Sequence, residues 1–188
     1  GNPLLNKNSI EFNKGTGVTC TSEGQGTLTA NEIYKNSEAG VHISKKGNPT
    51  VTGNHIHDGL QHGVQVTDDG VGVIEENDIV DNAGSGVEVT TGGQSMFNNN
   101  TIHANKAAGV HVHMNGLGTF TTNKVFNNLE AGLLVESGAD PKVSHNSFYQ
   151  GNAAGIEVRN AGKGLIEQNE VFENTTCGIM VQTHGDPR

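Results

Sequence analysis

Six side chains able to move protons or hold anions recur at a spacing that would gather them on one surface. Glu88 and His111 are 23 residues apart, as are His113 and Glu136, and Glu136 and Arg159. Glu157 falls in the same frame as Glu88 and His111. A carboxylate beside an imidazole or a guanidinium can do general acid–base work on a sugar. The same residues on a solvated face, alternating in charge, would also form ordinary cross-strand pairs of modest stabilising value. Glycoside hydrolysis would need two carboxyl groups at a defined separation. Glu136 and Glu157 are the pair available, and nothing distinctive marks them.

Two further groups share this frame. His55, His57, Asp58, Asp78 and His103 form a His-rich acidic patch, with His55 in line between Glu32 and Asp78. Such a surface could take a transition metal. No tight ligand motif is present, so neither a metal nor any other cofactor is expected. His55, His57 and Asp78 are the candidate ligands if one binds. Phe126, Tyr149 and Phe172 are consecutive rungs of one outward column. They read either as an external aromatic stack or as a protein-docking stripe, since contiguous exposed aromatics mark interfaces.

The element that must position these groups is a repeat. Asparagine occupies positions 8, 31, 54, 77, 100, 123, 146 and 169, each 23 residues after the last. A fixed period of this length signals a solenoid. Written in rows of 23, four columns are apolar throughout: Leu5 to Ile166, Ile10 to Val171, Val18 to Ile179 and Cys20 to Val181. Most are β-branched, in short alternating runs, which means strands with one face buried. Three short strands per row, with no room for a helix, predict an all-β, single-stranded parallel β-helix of eight coils. Right-handed winding is the expected hand. A leucine-rich repeat has a similar period, but its leucine pattern and helix-forming convex segment are missing.

The turns are legible in the same frame. Glycine fills the seventeenth column from Gly17 to Gly178, so a Cβ is forbidden there by positive φ or by close packing. The thirteenth column mixes Asn with Gly59 and Gly151, which suggests left-handed turn residues. The eighth column never admits glycine. Its amides are therefore expected to hydrogen-bond one another along the rod as an Asn ladder.

Composition narrows the partners. The chain has 188 residues and a formal net charge of −9, which disfavours nucleic acid and anionic membrane surfaces. Acidic polysaccharides would be repelled unless a cation mediates. No run approaches the ~20 apolar residues of a membrane span. Cys20 and Cys177 lie in the first and eighth rows, roughly 34 Å apart at strand spacing, too far for a disulfide. Residues 1–188 read as one β-helix domain, a fragment of a longer protein, with end-to-end self-association expected of its exposed edges.

Segments such as Gly47-Asn48-Pro49-Thr50-Val51, Asn54-His55-Ile56-His57-Asp58-Gly59 and Gly86-Val87-Glu88-Val89 resemble right-handed, pectin-lyase-like β-helix repeats of the CASH type. These are shared by carbohydrate-binding proteins and sugar hydrolases. Among them, the repeats are similar to those of the β-helical F-box only proteins, substrate adaptors of cullin ubiquitin ligases. That resemblance implies a non-catalytic rod recognising a protein partner, cytoplasmic or nuclear. The alternative is a polysaccharide-binding or carbohydrate-active domain of lyase, epimerase or hydrolase type. Polygalacturonases place paired aspartates near Gly-His-Gly, and alginate epimerases use Asp-Pro-His-Glu. Here Asp140-Pro141 is followed by Lys142-Val143.

Overall fold

A computed structural model describes residues 1–188. Every coil contributes three short strands, and like strands pair in parallel to build three eight-stranded sheets. The first sheet runs from Leu4–Asn6 to Leu165–Glu167, the second from Ser9–Glu11 to Glu170–Phe172, and the third from Val18–Cys20 to Ile179–Val181. Registers hold the 23-residue frame, as in Ile79 beside Ile102 and Glu88 beside His111. The molecule is a parallel β-helix, and no helix long and apolar enough to cross a membrane is present.

The four apolar columns point inward and form one continuous core from Leu28 to Val158. Phe97 and Phe120 stack inside it with ring centroids 4.6 Å apart. Cys20 and Cys177 are both free thiols.

Asparagine amides close one corner. Asn77 Oδ1 accepts from both the backbone N–H and Nδ2 of Asn54, each at 2.9 Å. Asn77 Nδ2 in turn donates to Asn100 Oδ1 at 3.0 Å and to the Val51 carbonyl at 2.9 Å. Each amide thus satisfies its own donors and the orphaned backbone groups of the bend, as a buried polar corner requires.

The thirteenth column departs from the expectation of left-handed turn residues. It is a second ladder: Asn82 donates to Asn105, and Asn105 to Asn128, each through Nδ2 at 3.0 Å. The left-handed residue is the one before each ladder position, such as Glu76 at φ 56° and Asp81 at φ 53°. That residue turns the chain so that the next amide points into the corner. An L side chain there costs about 1–2 kcal/mol, and the ladder bonds offset it.

Close packing, rather than positive φ, explains the seventeenth column. A Cβ on Gly86 would lie 2.4 Å from Ile102 Cγ2, 2.7 Å from Asn105 Nδ2 and 2.9 Å from the Gly109 oxygen. The glycine lets the third strand start directly beneath the second ladder.

Replacing a central ladder amide should therefore cost far more than replacing an end one. Asn100→Ala leaves the Asn77 backbone N–H and the Ile74 carbonyl without their side-chain partners. A loss of roughly 2–3 kcal/mol is expected for such buried groups, read from urea unfolding. Asn8→Ala, at the exposed first coil, should cost under about 1 kcal/mol. Equal losses at the two positions would contradict this account of the ladder.

Candidate functional site

The outer face of the third sheet carries the six candidate residues. Alternation along Val-x-Val strands turns Glu88, His111 and Glu157 outward in one column and His113, Glu136 and Arg159 in the next. The structure brings all six together over four coils as two linked networks.

Glu88 anchors the first network and is only 9% exposed. Gln65 Nε2 donates to its Oε2 at 2.7 Å, and His113 Nε2 stands 3.1 Å from its Oε1. His62 Nε2 approaches the same oxygen at 3.4 Å. The backbone N–H of Ser85 donates to His62 Nδ1 at 3.1 Å, so the proton of a neutral His62 sits on Nε2, facing Glu88. Burial pushes the Glu88 carboxyl up, but the Gln65 bond and the His62 and His113 rings outweigh it and hold it below the usual range. The Thr90 hydroxyl, beside His113 in the same column, is buried without a partner.

Glu136 anchors the second network. It accepts from Arg159 Nε at 2.8 Å, Asn160 Nδ2 at 3.1 Å and His111 Nε2 at 3.1 Å. Here too burial works upward and is overcome, chiefly by Arg159, so this carboxyl is also depressed. Arg159 Nη1 reaches Glu157 Oε1 at 3.0 Å, and Gln182 Nε2 donates to the same oxygen at 2.8 Å. His111 and His113 stack at 4.2 Å. Burial, then the neighbouring His113, lowers the His111 imidazole below its ordinary value in spite of Glu136. At neutral pH His111 is therefore a neutral imidazole. A carboxylate holds its Nε2–H, which leaves the lone pair on Nδ1. This is the arrangement of an oriented general base.

His62, Gln65 and Asn160 had not been singled out from the sequence. They meet their carboxylates at separations of 26, 23 and 24 residues, so no single spacing finds them, whereas another set of complementary side chains on adjacent coils bonds at a separation of 25 residues. Glu88 with His113, His111 with Glu136, Glu157 with Gln182, Glu32 with His57 and Asp78 with His103 all do so. In a twisted parallel sheet the diagonal neighbour two residues further on is within reach of long side chains.

The second sheet holds the other two groups. Glu32, His55 and His57 come together, with Asp58 and Asp78 against the rings. His103, Phe126, Tyr149 and Phe172 stack one on the next at 4.7, 4.9 and 5.0 Å. Their interplanar angles are small, so neighbouring rungs cover the ring faces and solvent meets the edges. Of Phe126, Tyr149 and Phe172, Phe172 alone is largely exposed, at 43%.

Acid should destabilise the fold in two steps. His111 and His42 have depressed imidazoles, both chiefly through burial. As pH falls from about 6.5 toward their folded values, the unfolded chain binds more protons and stability is lost. Glu88 and Glu136, also depressed, contribute stability above the unfolded carboxylate value of about 4.3 and lose it as pH falls through their folded values. The urea midpoint followed against pH should drop across both windows, and Glu136→Gln should shrink the second. A midpoint unchanged down to about pH 5 would contradict the burial of His111.

Comparison with known proteins gives two kinds of result. Two mutants of the periplasmic alginate epimerase AlgG each superpose with a TM-score of 0.68 at 17% identity, over 87% of this chain and 50% of theirs. The A-module of the Azotobacter vinelandii mannuronan C-5 epimerase AlgE6 superposes with a TM-score of 0.66 at 14% identity, over 86% and 62%. This chain thus spans only about half to three fifths of those chains, and likeness at such identity is likeness of fold. No curated protein matches by sequence. The expected kinship to F-box adaptors finds no support among these results. The family model described as the right handed beta helix region matches residues 1–140 and 92–188. The chain belongs to that right-handed β-helix family.

Proposed function

We propose that this chain is a polysaccharide-binding β-helix domain whose third-sheet face holds the sugar chain. The observation that carries the reading is the row Glu88–His113 and His111–Glu136–Arg159, fixed side by side over consecutive rungs. Ionised carboxylates and the free His111 Nδ1 accept from sugar hydroxyls, while the remaining N–H groups of Arg159 donate to ring and hydroxyl oxygens. The fold shared with epimerases of alginate supports polysaccharide as the ligand class. It supports this reading better than protein recognition.

Charge chooses within that class. Three carboxylates, Glu88, Glu136 and Glu157, stand against one guanidinium, Arg159, and the neutral His111 adds nothing. The face therefore carries a negative excess, on a chain of net charge −9. A neutral polysaccharide suits this face, and a polyuronate needs a bridging cation.

Neither Glu88 nor Glu136 suits the acid role in hydrolysis. A glycosidase needs one carboxyl kept protonated by a raised pKa, and Glu88 and Glu136 are both held down. If the face carries chemistry, the neutral His111 makes proton abstraction the class of step, and its substrate is then the cation-bridged polyuronate, because only the C–H beside a uronate carboxylate is acidic enough. His111 Nδ1 would be the acceptor, and Glu136 would stabilise the imidazolium that forms.

Affinity electrophoresis tests the binding reading. Neutral glucans or mannans in the gel should retard the protein, while alginate and pectate should do so only with added calcium. Arg159→Ala should weaken retardation roughly tenfold, the loss of one charged hydrogen-bonding group. No retardation by any polysaccharide would overturn the proposal.

A further inference from the structure

We propose that Glu32, His55 and His57, on the outer face of the second sheet, bind a first-row divalent transition metal of the zinc class. Glu32 Oε1 lies 2.9 Å from His55 Nδ1 and 2.9 Å from His57 Nε2. The three ligand atoms all fall within 4.8 Å of one another. Tetrahedral zinc with bonds near 2.0–2.1 Å sets its ligand atoms roughly 3.3 Å apart. The two contacts need to open by a few tenths of an ångström and the two ring nitrogens to come to the same spacing, and the exposed Glu32 side chain is free to move that far.

The opposite nitrogen of His57 is already held as a metal site requires, and that of His55 faces a carboxylate. Asp58 Oδ2 lies 2.8 Å from His57 Nδ1, and Asp78 Oδ2 lies 3.5 Å from His55 Nε2. Asp78 is itself steadied through Oδ1 by His103 Nε2 at 3.0 Å. Metal-binding histidines characteristically give their second N–H to a carboxylate, which fixes the ring and the ligating tautomer. Tyr34 stacks on His57 at 4.9 Å and walls the ring on one side.

Proton counting points the same way. Carboxylate oxygens only accept, and both nitrogens of both rings face carboxylates. A neutral imidazole has one N–H, so each neutral ring can donate to only one of the two carboxylates it faces, and donating to all would require both rings to be imidazolium. Those two cations would then stack 4.1 Å apart. A divalent ion among Glu32 Oε1, His55 Nδ1 and His57 Nε2 removes the conflict, because each ring stays neutral and gives its remaining N–H outward. Two histidines and one carboxylate leave a further coordination position open to solvent.

The third sheet repeats the same spacing in Glu88, His111 and His113. There the conflict is absent, because Gln65, His62 and His113 already supply N–H donors to the carboxylate. The metal proposal is independent of the sugar-binding reading.

Calorimetric titration of the metal-free chain with Zn2+ near neutral pH tests it, with Co2+ absorption reporting coordination. One ion per chain is expected, with visible bands of a four-coordinate nitrogen–oxygen site. His57→Ala and Glu32→Gln should abolish binding. Asp58→Asn, which spares all three ligands, should weaken it about 10- to 100-fold. Circular dichroism melts would establish that the variants remain folded. Absence of saturable binding would overturn the proposal, as would binding that survives His57→Ala and disappears in His111→Ala.

Discussion

An asparagine amide that donates to the coil on one side and accepts from the coil on the other sets the frame of this molecule. Asn54, Asn77 and Asn100 show the unit: each oxygen takes two N–H groups from one neighbour, and each nitrogen reaches the next oxygen and a backbone carbonyl. A one-residue insertion in any coil would break this chain of bonds. It would also flip the alternating strands, sending Val and Ile outward. The 23-residue period is thus enforced at the corner and in the core together. What the frame permits on the outside is straight columns of side chains at strand spacing, and any function this chain has must be written in columns.

That constraint explains which parts of the structure were legible in the sequence. Buried columns are legible because stacking demands like residues: Ile56, Ile79 and Ile102 must each fit the next. The first ladder is legible because Asn holds an amide donor and acceptor on one short stem and never gives way to glycine there. The second is harder, since Gly59 and Gly151 are tolerated in it, and tolerance of glycine resembles a demand for positive φ. The positive φ belongs one residue earlier, at positions as varied as Lys35, Asp58 and Gln150. The backbone there is fixed by the fold and not by residue type, so composition gives no signal.

The outer face follows a weaker logic. Columns predicted which of Glu88, His111, His113, Glu136, Glu157 and Arg159 would share a surface, but not who would bond to whom. Twist carries long side chains past the residue directly opposite and onto the diagonal, so Glu88 takes His113 and Glu136 takes His111. His62 was hidden for a different reason. It lies in a turn column of mostly small residues and enters the network only because Ser85 fixes its tautomer.

Two faces of one rod thus differ in how they settle their charge. On the third sheet, amides, Arg159 and imidazoles supply donors to the carboxylates, and burial keeps His111 neutral. On the second sheet the carboxylates outnumber the donors around two stacked rings. In the proposed function this third-sheet face is where a sugar chain rests. Long-range 1H–15N correlation spectra of the histidine imidazoles and the Arg159 Nε–H, recorded while a neutral oligosaccharide is titrated in, test it most directly. The account predicts saturable shifts at His111, His113 and Arg159 with His55 and His57 unmoved. Shifts confined to the second sheet, or none at all, would contradict it.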